Sequence, residues 1–159
     1  MLSCARWLAL IFLICTGPVL ASGRSEVVKA DLDSLIRAAA PHSVQFAVSV
    51  PHTVSVGSNG SWSVSNGIAT WRYTVRIPTA VSLSFHAINT RLPASAQLTV
   101  SGKSTTSVYS NADLHRGSIM SRIAPGEALA FSLRVAVADQ RGVAFNIDSL
   151  EPLKTVGSA

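Results

Sequence analysis

The sequence predicts an all-β fold, an antiparallel two-sheet β-sandwich or jelly roll of about eight to nine strands, preceded by a short amphipathic helix. Apolar and polar residues alternate along most of the chain, which gives each predicted strand one face for the core and one for water. Turn signals such as Asn66-Gly67 separate the alternating runs at short intervals. Together these features favour a sandwich over a helical or parallel α/β fold.

The first residues of the chain have the pattern of a secretory signal peptide, which we place at residues 1–21. Arg6 supplies a weak positive charge, and an apolar run follows over residues 7–16. That run falls short of the roughly 20 residues that span a bilayer, and small or aliphatic residues lead up to a cleavage point after Ala21. We therefore expect a secreted or periplasmic protein with no membrane span after cleavage.

Removal of this peptide fixes the expected domain layout and redox chemistry. Both cysteines of the chain, Cys4 and Cys15, lie within the signal peptide, so the exported part has no disulfide. We expect a leader with a short helix at residues 22–40, a β-sandwich domain at 41–152 and a C-terminal tail at 153–159. Hydrophobic burial must then hold the sandwich together, and 48% of the residues are apolar.

The leader carries a helical rather than an alternating pattern. Its apolar residues recur at the spacing of one helix face, and Pro41 is expected to end the helix. Docking onto another surface could also induce this helix. The residues on that face are Val28, Leu32, Leu35, Ile36 and Ala39.

From Val44 onward the period changes to two, as it does in half-buried strands. Pro51 is expected to interrupt the first strand, and Pro125-Gly126 to form a turn. The clearest alternating runs are Val44–Val50, Ile68–Ile77, Val81–Ala87, Ala96–Val100, Leu129–Val137 and Val143–Ile147.

Charge in the predicted sandwich is sparse and slightly basic. Between Pro41 and Leu150 there are eight Lys and Arg residues against four Asp and Glu residues. This excess fits an anionic cell surface or an acidic partner, and it equally fits a role in solubility alone. No basic run or nucleic-acid-binding motif is present, so we expect no nucleic-acid partner.

Motifs of catalysis and cofactor binding are missing from the sequence. There is no Gly-x-Ser-x-Gly elbow, and the segment Gly102-Lys103-Ser104 lacks the first glycine of a phosphate-binding loop because Gln97 stands in that place. The four histidines are scattered without metal-ligand spacing. We therefore predict a protein that is not an enzyme and that uses no cofactor or metal.

Three residues are candidates for ligand binding. Trp62 lies near a turn, where an indole could stack on a sugar ring, whereas Trp71 shares its face with apolar residues and is assigned to the core. Arg72 and Arg76 lie on the polar face of the same predicted strand as Trp71, where they could bind an anionic group.

The order of several segments resembles one known module, the non-catalytic N-terminal region of secreted bacterial trypsin-like serine peptidases of the lysyl endopeptidase kind. The similarity covers residues 26–150 and rests on strands and turns, and Met120 stands where an aromatic residue would be expected. The segments are Gly60–Trp62, Trp71–Tyr73, Ala80–Phe85, Arg91–Leu98, Asn111–Asp113, Gly117 and Ile123–Glu127, together with the leader helix and Phe46.

The resemblance implies a β-sandwich that precedes a protease domain, but the sequence stops at Ala159, before such a domain would begin. We therefore expect a module that acts by binding a protein, either a protease or another secreted protein. One alternative is a module that binds a carbohydrate or an anionic cell surface, and another is the truncated remnant of a secreted protease.

Overall fold

The computed structural model describes residues 23–39 and 48–154. Two β-sheets face each other across one apolar core, with a single short α-helix, which confirms the predicted all-β two-sheet sandwich. The predicted signal peptide at 1–21, the first part of the predicted strand at 44–50 and most of the tail at 153–159 lie outside the described residues.

The described residues form six strands in one sheet and five in the other. This is more than the eight to nine predicted, because the sequence assigned Arg24–Val27 to the leader and Pro125 to a turn. The front sheet contains β1 (Arg24–Val27), β3 (Ser61–Ser65), β4 (Ile68–Arg76), β6 (Gln97–Ser101), β7 (Thr106–Tyr109) and β10 (Ala128–Ala136). The back sheet contains β2 (Val50–Ser55), β5 (Ser82–Arg91), β8 (Ile119–Met120), β9 (Ala124–Pro125) and β11 (Ala144–Leu153). The helices are α1 (Leu32–Ala39) and two 3-10 segments, Asn111–Asp113 and Val137–Gly142.

Strands distant in sequence are neighbours in both sheets. In the front sheet β10 lies between β4 and β6, and β7 pairs with the far side of β6. The other edge of β4 holds two strands end to end, with β3 antiparallel along its first half and β1 parallel along its second half. In the back sheet β11 lies between β2 and β5, and β8 and β9 follow one another along the outer edge of β5.

The core is built from the apolar faces of these strands. Register pairs Trp71 with Leu133 and Tyr73 with Phe131 across β4 and β10, so their side chains point together toward the back sheet. Phe85 and Phe145 complete the cluster from the back sheet, with centroids of neighbouring rings 5.2–6.2 Å apart. Burial of each such side chain contributes about 1.5–3 kcal/mol, so this cluster holds the two sheets together.

The β3–β4 hairpin turns at Asn66-Gly67, as predicted. Both residues have positive φ, at 50° and 75°, which is the conformation of the two-residue type I′ turn. This turn fixes the register of the hairpin, with Ser65 opposite Ile68 and Trp62 opposite Trp71.

The leader differs from its prediction at its start. Arg24–Val27 forms β1 instead of joining the helix, because its backbone groups pair with β4 and this long-range pairing outweighs the local helical pattern. The helix is confirmed over Leu32–Ala39, and the carboxylate of Asp31 accepts the backbone N–H of Ser34 at its start. This helix is the only α-helix in the described part, and no described helix is long and apolar enough to cross a membrane.

Two prolines lie in strands where the sequence predicted an interruption or a turn. Pro51 lies within β2, and Pro125 ends β9. Both strands lie at an edge of the back sheet, where a missing N–H costs no ladder hydrogen bond on the open side. The alternating run at 129–137 is confirmed to Ala136, but Val137 begins a 3-10 segment and is exposed.

Candidate functional site

The outward face of the front sheet is polar and carries arginines on adjacent strands. Arg72 of β4 and Arg134 of β10 both point to solvent because their sequence neighbours, Trp71 and Leu133, are buried. The register pairs Arg72 with Ser132, which places Arg134 two residues further along β10. The two arginines are therefore diagonal neighbours, with backbones about 7–8 Å apart.

These two positive charges have no negative partner nearby in the described part of the chain. The Nη1 of Arg72 donates to Ser63 Oγ at 3.2 Å. Among the described residues, no carboxylate lies within ion-pair distance of Arg72 or Arg134. Arginine forks bind carboxylate, sulfate or phosphate groups in two-pronged geometry, so the pair is suited to an anionic group from outside the chain.

The two arginines line a shallow depression beside the β3–β4 hairpin. Its volume is about 420 Å³, and its lining is Ser63, Ser65, Asn66, Ile68, Thr70, Arg72 and Arg134. A second depression of about 370 Å³ begins on the other side of Arg134, and its lining is Ile68, Ala94, Ser95, Ala96, Gln97, Ser110, Arg134 and Val135. The two depressions share Ile68 and Arg134 and adjoin across this end of the front sheet, and we call them together the hairpin groove.

Arg76, the second predicted arginine, lies at the far end of β4 and is already paired. Its Nη2 donates to Glu127 Oε1 at 2.7 Å, and the other oxygen of that carboxylate accepts Thr79 N–H at 3.3 Å. The Arg76 hydrogen bond holds the pKa of Glu127 below its usual range. Arg76 is four positions further along β4 than Arg72, a distance of about 13 Å, so the structure does not bring Arg76 into the hairpin groove.

Trp62 points away from both arginines. It stands opposite Trp71 in the hairpin, so its side chain lies on the core side of the front sheet, whereas its neighbour Ser61 shares the face of Arg72. The indole packs against the core with partial exposure, and its N–H donates to the carbonyl of Val56 at 3.0 Å. Its exposed part lines a separate depression with Arg141. Trp62 and Arg72, both predicted to bind a ligand, therefore lie at different sites.

Another depression, of about 730 Å³, lies at the opposite end of the sheet. Its charged lining residues are Lys103 and Glu127, and Glu127 is already bound to Arg76. The rest of its lining is small, apolar or glycine, which offers little to orient a ligand.

A buried polar cluster connects the two sheets near β1. The hydroxyl of Tyr73 donates to Glu26 Oε2 at 2.8 Å, and His52 Nε2 lies 3.1 Å from the same hydroxyl. Since the single phenolic proton is used by Glu26, the Nε2 of His52 must carry a hydrogen and donate to Tyr73. Burial, followed by the hydrogen bond to Glu26, raises the pKa of Tyr73 far above its usual value, so the phenol keeps its proton. We interpret this cluster as structural.

A second histidine contact lies on the outer face of the back sheet. His86 Nδ1 is 2.9 Å from Asp148 Oδ1, where an irregularity in β11 between Ile147 and Ser149 turns Asp148 toward β5. The alignment is too poor for a hydrogen bond, and this oxygen is buried without another partner in the described structure. Within residues 23–39 and 48–154, no three His, Cys, Asp or Glu side chains come together as a metal site.

Sequence reasoning found Arg72 but missed Arg134 and the hydroxyl and amide groups around it. Arg134 lies on the polar face of a correctly predicted strand, and only the pairing of β10 with β4 brings it beside Arg72. Asn66 was found as a turn residue and also lines the groove.

Comparisons with protein-family models, with curated proteins and with solved structures found no match to this chain. The resemblance to peptidase N-terminal regions therefore stays a prediction, and the function must be argued from the surface of the sandwich.

Proposed function

We propose that this chain is an exported, non-enzymatic β-sandwich module that acts by binding a protein, with a secreted trypsin-like peptidase as its partner. The resemblance in strand order motivates the choice of partner. The observation that supports protein binding is an apolar edge of the back sheet.

That edge consists of β8, β9 and the segment between them. Each strand has two residues and pairs with β5 on one side. The carbonyl of Pro125 in β9 already accepts the N–H of Lys103 at 2.9 Å, and the N–H of Arg122 donates to the hydroxyl of Tyr109 at 2.9 Å. The open part of the edge is therefore β8, which has no second neighbouring strand in the described structure. Met120 and Ile123 stand on this edge with 66% and 65% of their surface exposed, on either side of exposed Arg122. An open strand edge with exposed apolar side chains can accept an extended segment of another protein through main-chain hydrogen bonds.

The test uses the purified chain and a purified lysine-specific, trypsin-like bacterial peptidase, with binding measured by surface plasmon resonance. We expect Met120→Asp and Ile123→Asp to weaken binding at least tenfold, because each places a charge in an apolar contact. Val64→Asp is the matched control, since Val64 is 61% exposed on β3 of the other sheet.

Equal binding by the two edge variants and the wild type would refute the edge as the contact surface. The absence of any peptidase binding, together with recovery of no protein partner from culture medium by the tagged chain, would refute the function itself.

A second candidate function is binding of a carbohydrate or an anionic cell surface. The charges of Arg72 and Arg134, which have no carboxylate partner within residues 23–39 and 48–154, favour it, and their surroundings define the chemistry of the ligand.

A further inference from the structure

The hairpin groove combines a positive end with groups that bind neutral hydroxyls. At its positive end the guanidinium groups of Arg72 and Arg134 are free of carboxylate partners among the described residues. Next to them lie the side chains of Asn66 and Thr70, for which no side-chain hydrogen bond is found within the described residues. An amide and a hydroxyl can both donate and accept, which suits the hydroxyl groups of a sugar.

The other end of the groove lies close to two carboxylates. Ser95 and Ser110 line it, and their hydroxyls donate to the carboxylates of Asp139 and Asp113, at 2.6 Å and 3.0 Å. The pKa of Asp113 is held below its usual range by its hydrogen bonds with Ser110, so it stays ionised. These carboxylates lie behind the lining serines and would repel a second anionic group, whereas a neutral hydroxyl-bearing group could donate to the hydroxyl oxygens of Ser95 and Ser110.

The length of the groove distinguishes between anionic ligands. A free phosphate or sulfate would occupy only the space between Arg72 and Arg134. The second depression extends this space with Ile68, whose side chain offers an apolar surface for the C–H face of a sugar ring, and with Gln97, which lies opposite Arg134 on β6. Its shape therefore fits a short chain of linked units better than a single ion.

We propose that the hairpin groove binds a carboxylate-bearing oligosaccharide. The carboxylate of one sugar acid lies between Arg72 and Arg134, its hydroxyls contact Asn66 and Thr70, and the adjoining sugar lies across Ile68. This inference specifies the ligand of the second candidate function. It is independent of the peptidase-binding edge, which lies on the other sheet, so each can fail without the other.

The test measures binding of uronic-acid trisaccharides by isothermal titration calorimetry and by amide chemical shifts of the 15N-labelled chain. The probes are the trimers of galacturonic, guluronic and mannuronic acid, the methyl-esterified trimer of galacturonic acid as a neutral match, and inorganic phosphate. We expect at least one acid trimer to bind, with shifts concentrated at Ser63–Thr70 and around Arg134. Phosphate and the esterified trimer should bind at least tenfold more weakly.

Arginine variants test which charges are used. Arg72→Gln and Arg134→Gln should each weaken binding about tenfold or more, as expected when a hydrogen bond to a charged group is lost. Arg116→Gln removes the same charge from an exposed loop outside the groove and should change the affinity less than twofold. Thermal melting of each variant checks folding, and the shift map of the wild type does not depend on any variant.

Four results would overturn the proposal. They are no binding of any acid trimer at millimolar concentration, equal affinity for the esterified trimer or for phosphate, equal losses in Arg116→Gln and Arg72→Gln, and shifts centred elsewhere on the sandwich.

Discussion

The hydroxyl of Tyr73 gives the sharpest test of how the leader is attached to the sandwich. It is the single atom that contacts both Glu26 of β1 and His52 of β2. Tyr73→Phe removes this oxygen and keeps the ring, which stacks on Trp71 with centroids 5.8 Å apart and is 1% exposed. The variant therefore separates the polar contact from the packing.

We expect Tyr73→Phe to lower the free energy of unfolding by about 1.5–3 kcal/mol, the range for a hydrogen bond to a charged group. The loss includes the cost of leaving the Glu26 carboxylate half-buried without its donor. Urea unfolding followed by tryptophan fluorescence measures it, and Glu26→Gln alone and combined with Tyr73→Phe gives the coupling between the two residues. A loss below about 0.5 kcal/mol, or additive effects of the two changes, would refute a coupled contact.

The raised pKa of Tyr73 adds a pH dependence with a definite sign. Its folded pKa lies above the unfolded value near 10, so its stabilising contribution is complete below pH 10. Above pH 10 the unfolded state releases the phenolic proton first, and this contribution falls by about 1.4 kcal/mol per pH unit. Phenylalanine cannot ionise, so the deficit of Tyr73→Phe relative to the wild type should shrink above pH 10. A constant deficit from pH 7 to pH 11 would contradict this.

Three further predictions concern the core, the hairpin and the surface. Phe131→Ala should lower the free energy of unfolding in urea by about 3–5 kcal/mol, because it opens a cavity among the clustered rings. A loss below about 1 kcal/mol would contradict that packing. Gly60→Ala should lower the free energy of unfolding by about 3 kcal/mol or more, because φ is +73° and a Cβ would lie 2.5 Å from the indole nitrogen of Trp71. Gly67→Ala should lower it by only about 1–2 kcal/mol, because φ is +75° but the space around a Cβ is open. Equal losses in the two variants would refute the crowding at Gly60. Arg76→Ala should raise the pKa of Glu127 toward its usual value in a carboxyl NMR titration, because the ion pair is present above that pKa and is lost as the pH falls; an unchanged pKa would contradict the pairing.

Local patterns predicted most of the strands because their information is short-range. The alternation in Ile68–Ile77 and Leu129–Val137 marks which side chains enter the core, and Asn66-Gly67 marks the hairpin. The two-residue turn also sets Trp62 opposite Trp71, so the inward direction of Trp62 follows from sequence once the register is drawn.

Long-range pairing explains what the sequence did not predict. Arg24–Val27 has no distinct strand pattern and becomes β1 because β4 offers an open edge beyond the end of β3. The neighbourhood of Arg72 and Arg134 likewise depends on β10 pairing with β4, two strands far apart in the chain. Which distant strands pair, and in which register, is not encoded in the local alternation of either strand.

Arginine type and exposure do not distinguish a binding position from an ordinary solvated one on this sandwich; the surrounding charges do. Arg72 and Arg76 lie on the same face of the same strand and are both exposed, and the local pattern does not distinguish them. The charge of Arg76 is neutralised by an ion pair with Glu127, whereas Arg72 lies beside a second cation, Arg134. Two like charges held side by side destabilise the sheet slightly unless something outside the chain compensates them, and an anionic ligand would relieve that repulsion on binding.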